Sequence, residues 1–224
     1  LFTSLFRIRK IHKTYLAVVY GEVKKDIKVL EDNLVLYEND RKIIQKATSY
    51  LKVKKSFGFT LTKAQERVAT EVTADLIKNQ PALRLIQGDV GSGKTVIAAL
   101  ASVHASENSL QTALMAPTEL LAEQHFVNMS NWLKPLGINT AWLSSRVTGK
   151  KRIEELSNIK AGIASVVVGT HALFQKEVEF RNLGLVIVDE QHRFGVNQRL
   201  SLKEKGSKEL TSPHQLVMTA TPIP

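Results

Sequence analysis

The chain has 224 residues, 43% hydrophobic and 23% charged, with 31 Lys and Arg against 21 Asp and Glu, a formal net charge of +10. Apolar content this high, broken into periodic blocks, excludes a disordered polymer, and the lack of cysteine excludes a disulfide scaffold or a cysteine–zinc site. No stretch approaches the roughly 18 uninterrupted apolar residues of a membrane span, and no signal-peptide pattern is visible, so the expectation is a cytoplasmic globular protein with no membrane partner. The positive excess points toward a polyanion.

Residues 1–56 carry no chemical motif and are expected to form a separate basic segment, densest at Arg7, Arg9, Lys10 and Lys13. Residues 15–23 are rich in β-formers. Val29-Leu30 and Leu34-Val35-Leu36-Tyr37 fit short strands or one helix, and residues 42–52 fit a helix.

A regular pattern starts near residue 57 and defines the expected main domain, 57–224. Thr62 caps a helix and Gln65 completes a helix-start box. A strand at 83–87 runs through a Gly-rich loop into a helix from 94 to about 105. A strand at 112–116 precedes a helix that opens at Thr118 and stops near Pro135 and Gly137. A strand at 140–143, a charged amphipathic helix at 149–160, and short apolar runs at 165–168, 185–188 and 215–218 complete the series. Apolar runs without alternation suit strands buried on both faces, and alternation of strand and helix gives an α/β fold, a parallel sheet in three layers. Both ends of the chain look cut, which suggests a piece of a longer protein.

Gly88-Asp89-Val90-Gly91-Ser92-Gly93-Lys94-Thr95 fits G-x-x-x-x-G-K-[ST] between an expected strand and helix. Glycines free the backbone to turn successive N–H groups toward a phosphate, and the following helix adds its positive end. Lys94 would reach the outer phosphates of a nucleoside triphosphate, and the Thr95 hydroxyl would ligate Mg2+. The apolar run at 185–188 ends in Asp189-Glu190. Asp189 would hold the metal, and Glu190 would orient or deprotonate the attacking water.

Six blocks in order make the sequence resemble the superfamily 2 helicases: residues 59–65, the phosphate loop, residues 116–125, residues 169–175, residues 189–196, and residues 219–224. The resemblance implies a RecA-like P-loop NTPase lobe of an ATP-dependent DNA helicase. That lobe would couple ATP hydrolysis to translocation on branched or fork DNA in repair and recombination, as a monomer. It also implies that Phe59 stacks on adenine and that Gln65 reads its edge. Pro117, Thr118, Glu119, Gly169, Thr170 and His171 would touch the DNA backbone. Gln191, His192, Thr219 and Thr221 would relay nucleotide state. Family members complete the site with arginines from a second lobe, which does not follow here, so weak or no turnover is expected of this chain alone.

Each role has a structural alternative. Gln65 serves equally as the polar member of its helix-start box, Phe59 as core, and His192 as a structural histidine. His125 and His171 read as orienting groups without chemistry. Similar blocks occur in the translocase of transcription-repair coupling factors. The Asp189-Glu190-Gln191-His192 box departs from the Asp-Glu-Ala-Asp form of RNA helicases. From another class, a non-catalytic nucleic-acid-binding module would rely on the basic N-terminal segment.

Overall fold

The computed structural model describes residues 60–78, 80–190 and 212–220, and the backbone of two strands at 29–38 and 41–50. Strand β1, Val29–Glu38, pairs antiparallel with β2, Arg41–Tyr50, from Val29 opposite Tyr50 to Glu38 opposite Arg41. The ambiguous run at 29–37 is thus one ten-residue strand. The helix expected over 42–52 is not formed: its residues up to Tyr50 are strand. Lys42, Gln45, Lys46 and Ala47 suit a helix, but Ile43, Ile44 and Thr48 suit an extended chain, and ladder pairing outweighs so weak a local preference. The β-rich stretch at 15–23 lies outside the described residues.

Helix α1, Lys63–Leu76, starts at Thr62, whose hydroxyl accepts from the Gln65 N–H while the Gln65 side chain accepts from the Thr62 N–H. Strand β3, Leu83–Gln87, and helix α2, Lys94–Glu107, follow. Strand β4, Gln111–Met115, leads to α3, Glu119–Leu133, which gives way to a 3-10 turn at Lys134–Leu136 and to Gly137 at φ 80°. Strand β5 is Thr140–Leu143, helix α4 Gly149–Ala161, and strand β6 Val166–Gly169. A 3-10 turn at His171–Phe174 precedes β7, Leu183–Asp189, and β8, His214–Thr219.

These strands form one six-stranded parallel sheet in the order β3-β8-β7-β4-β6-β5. Every residue of β4 and β6 is buried, as strands covered on both faces must be. Successive side chains point to opposite faces. Leu114 accordingly packs in one cluster with Ala69 and Val72 of α1, Ile97 of α2 and Met129 of α3. Ala113 and Met115 pack in the other, with Ile159 of α4, Leu173 and Val178. The result is the expected three-layer α/β architecture. Side chains buried on both faces at about 1.5–3 kcal/mol each hold the sheet rigid, so the strand ends are fixed points for a site.

Edge strand β3 is tied to α1 by charge. Arg84 donates to Asp75 and, at 2.9 Å, to Glu71, while Lys78 donates to Asp75 at 2.7 Å. The hydrogen bonds from Lys78 and then Arg84 hold the Asp75 carboxyl below its ordinary value, a contribution to stability that is lost as pH falls through the lowered value. At the start of β8, Nδ1 of His214 accepts from the Ala82 N–H at 3.1 Å, which requires that nitrogen to be unprotonated. Burial pushes the His214 pKa below its ordinary 6.5, an effect that the charge of Asp75 opposes. Below about pH 6.5 the unfolded chain therefore takes up this proton more readily than the folded one, and stability falls with pH. Melting temperature should decline between about pH 7 and pH 5, and His214→Asn, which keeps an acceptor without a titrating ring, should flatten that decline. An unchanged slope in thermal unfolding across that range would contradict the assignment.

Candidate nucleotide site

Residues 88–95 connect β3 to α2 as the sequence pattern anticipates. Gly91 and Gly93 stand at φ 81° and 86°, in the left-handed region that side chains avoid. A Cβ on Gly93 would also lie 2.2 Å from Nε2 of Gln65. Gly93 is the N-cap of α2 and contributes no side-chain cap, so the positive end of that helix faces the loop without a capping side chain. The Lys94 ammonium folds over the loop and donates to the carbonyls of Gly88 at 2.6 Å and Asp89 at 3.0 Å. Asp89, Val90, Gly91 and Ser92 are exposed at the rim, and Thr95 is half-buried at the first turn of α2.

Gln65 does not stand free beside this loop. Its carbonyl oxygen accepts from the Thr62 N–H at 2.9 Å, and its amide donates to the Ser92 carbonyl at 2.9 Å. The helix-start box is therefore formed, and the same side chain braces the phosphate loop against α1. A carbonyl with two lone pairs and an amide with two protons retain capacity for a base edge.

The C-terminal ends of three neighbouring strands converge here. Gln87 of β3 lies opposite Thr219 of β8, and Met218 of β8 opposite Asp189 of β7. With strands about 4.8 Å apart, the phosphate loop and Asp189 are separated by two strand spacings, a gap of triphosphate scale. The Gly88 N–H donates to the Thr219 carbonyl at 3.2 Å, and the Glu190 N–H to the Met218 carbonyl at 2.8 Å. The Glu190 carboxylate accepts from the Thr219 hydroxyl at 3.0 Å and from the Ala220 N–H at 3.1 Å. Glu190 itself sits at φ 51°, rare for a residue with a Cβ and a form of local strain common at functional sites.

Asp189 is buried at 8% exposure, and its Oδ2 lies 2.7 Å from Nε2 of His125 on α3. No group of three or more His, Cys, Asp or Glu is gathered for a metal among the described residues. One carboxylate and the Thr95 hydroxyl, both hard oxygen donors, fit Mg2+, which takes one or two protein oxygens and completes its shell with phosphate and water.

The segments expected to meet DNA lie at the ends of β4 and β6, farther along the same edge. The Thr118 hydroxyl caps α3 by accepting from the Leu121 N–H at 3.3 Å. Glu119 accepts from the Ser145 hydroxyl at 2.5 Å and pairs with Arg146 at 2.6 Å, so its carboxylate is committed to the loop after β5. Gly169 is required by packing, because a Cβ there would lie 2.1 Å from the Leu143 carbonyl oxygen. Thr170 is 2% exposed and its hydroxyl has no hydrogen-bond partner among the described residues. Pro117 is half-buried, and Thr118 and His171 are exposed. Phe59, Gln191, His192 and Thr221 lie outside the described residues.

Besides the Gln65 brace, two contacts of the expected site segments stand out as unforeseen from the sequence. One is the Glu119–Arg146 pair. The other is the His125–Asp189 bond, for which a signal exists: Ala122, His125, Met129 and Leu133 form the buried face of α3, and a histidine in such a row needs a polar partner.

A parallel sheet between helix layers, with a phosphate loop on one strand and an acidic pair two strands away, defines the RecA-like P-loop class. The chain belongs to the DEAD/DEAH box helicase family, whose pattern matches residues 62–224. Within that family it is similar to the ATP-dependent DNA helicase RecG. It is 61% identical to the Haemophilus influenzae protein over 166 residues, 74% of this chain and 24% of that one. It is 43% identical to the Aquifex aeolicus protein over 223 residues, 100% of this chain and 27% of that one. The chain thus spans about a quarter of the length of these curated relatives. A structure of RecG bound to a three-way DNA junction superposes with a TM-score of 0.65 at 43% identity, covering 74% of this chain and 22% of that one. The Pyrococcus furiosus Hef helicase domain, at 21% identity and a TM-score of 0.55 over 72% of this chain and 33% of that one, shares the fold. The resemblance drawn from the six sequence blocks is borne out.

The glycine geometry separates two substitutions. Gly91→Ala adds a methyl group with nothing within 4 Å among the described residues, so its positive φ is the strain it brings, at about 1–2 kcal/mol. Gly93→Ala adds the same strain and also drives Gln65 from the Ser92 carbonyl. Urea unfolding should rank Gly93→Ala clearly below Gly91→Ala, and equal losses would mean that the Gln65 brace contributes nothing.

Proposed function

We propose that this chain is the ATP-binding motor lobe of a RecG-like DNA helicase, cytoplasmic and monomeric, which couples ATP hydrolysis to movement on branched DNA in repair and recombination. In this reading residues 57–224 form the lobe and residues 1–56 a separate basic segment. The observation that carries it is the convergence of the phosphate loop, Thr219 and the Asp189-Glu190 pair at the ends of three adjacent strands. The identity to RecG supports it over a transcription-repair coupling factor or a passive nucleic-acid-binding module. Among the described residues no helix is long and apolar enough to cross a membrane.

Residues 88–93 would wrap the phosphates with backbone N–H groups, and Lys94 would exchange its loop carbonyls for phosphate oxygens. Thr95 and Asp189 would hold Mg2+, which when bound neutralises phosphate charge. Glu190, aimed by Thr219 and Ala220, would position the attacking water and accept its proton. Phe59 and Gln65 would take the adenine.

RecG has been solved on a three-way DNA junction, which supports DNA as the partner here. The backbone around Pro117 and Thr118, the turn at Gly169-Thr170 and the exposed His171 would track phosphates without reading sequence. The Glu119–Arg146 pair would set the adjoining loop. Thr219 bonds both to the phosphate loop and to Glu190, which supports a relay role for it with Thr221, Gln191 and His192.

Lys94→Ala is the direct test. It removes a charge-assisted contact to phosphate, so affinity for Mg2+–ATP should fall at least about tenfold in a labelled-nucleotide titration. DNA binding and its salt slope should be unchanged. ATP affinity that survives the substitution would refute the phosphate-loop reading.

A further inference from the structure

We propose that His125 is a positioning residue for the metal-ligating carboxylate, tying Asp189 to helix α3. The inference rests on the nucleotide-site reading above and names what orients its metal ligand. His125 Nε2 lies 2.7 Å from Asp189 Oδ2, with the two side chains 10% and 11% exposed. A carboxylate only accepts, so the ring nitrogen is the donor, and the bond engages one carboxylate oxygen. A buried carboxylate without such a donor would rotate and bear its full desolvation cost, whereas a fixed one presents its second oxygen in a constant direction.

The placement of His125 makes this bond specific. It occupies the core-facing row of α3 between Ala122 and Met129, both 0% exposed, so its ring cannot swing out to solvent without leaving the core. Helix α3 starts at the Thr118 cap, two turns earlier, where the expected DNA-contacting segment begins. The carboxylate on β7 is thus bonded to the same helix that begins at that segment.

Removing an outer-shell donor of this kind lowers metal affinity by about 10–100-fold. The test uses the 224-residue chain, a fluorescent ADP and a Mg2+ titration. Wild type, His125→Leu and His125→Gln should bind the nucleotide equally in EDTA. His125→Leu should require about 10–100-fold more Mg2+ to reach the tightened state. His125→Gln, whose amide nitrogen replaces the ring donor, should recover most of that loss. An unchanged Mg2+ requirement in folded His125→Leu overturns the proposal, as does an equal loss of nucleotide affinity with and without Mg2+. Should His125→Leu fail to fold, the unaltered chain decides: its His125 ring resonances must shift when Mg2+ joins the ADP complex, and an absent shift overturns the inference. Wild type that binds no nucleotide in either condition overturns the phosphate-loop reading itself. A wild type with normal Mg2+-dependent binding beside an indifferent His125→Leu overturns only the role of His125.

Discussion

Thr219 joins two parts of the molecule that lie more than a hundred residues apart in the chain. Its carbonyl accepts from the first N–H of the phosphate loop, and its hydroxyl donates to one oxygen of Glu190. Because β8 lies between β3 and β7, a shift of Thr219 along the strand axis would move the loop and the carboxylate together. Such a shift is resisted by the burial of Leu216, Val217 and Met218, each 4% exposed or less. The site is therefore set by sheet register, and register is set by the two apolar clusters on either face.

Helix α3 is bound at several points along its length. Its first turn is capped by Thr118 and joined through Glu119 to Arg146 and Ser145, its middle bonds Asp189 through His125, and Met129 and Leu133 are fully buried. Glu119, a carboxylate in a segment expected to meet phosphates, is neutralised by Arg146, which removes an unfavourable charge from that edge.

Much of the fold was legible because the middles of β6 and β7 are buried on both faces and so appear as short apolar runs. The caps at Thr62 and Thr118 marked helix starts to the residue. The hairpin at 29–50 was not legible, since Lys42, Gln45, Lys46 and Ala47 suit a helix as well as Ile43, Ile44 and Thr48 suit a strand. There the partner strand, rather than local preference, decided the outcome.

For the site, the amino-acid order alone determined which chemistry was present: glycines where the backbone must take positive φ, a lysine and a hydroxyl at the helix start, and two carboxylates ending an apolar strand. These are short-range patterns, each carried by a few consecutive residues. Only the tertiary structure decided that Gln65 braces the phosphate loop, that Glu119 turns to Arg146 instead of to solvent, and that His125 faces Asp189. Each of those contacts joins residues 27 to 64 positions apart, and pairing at that range depends on strand order and on which helix face is buried, neither of which local spacing encodes.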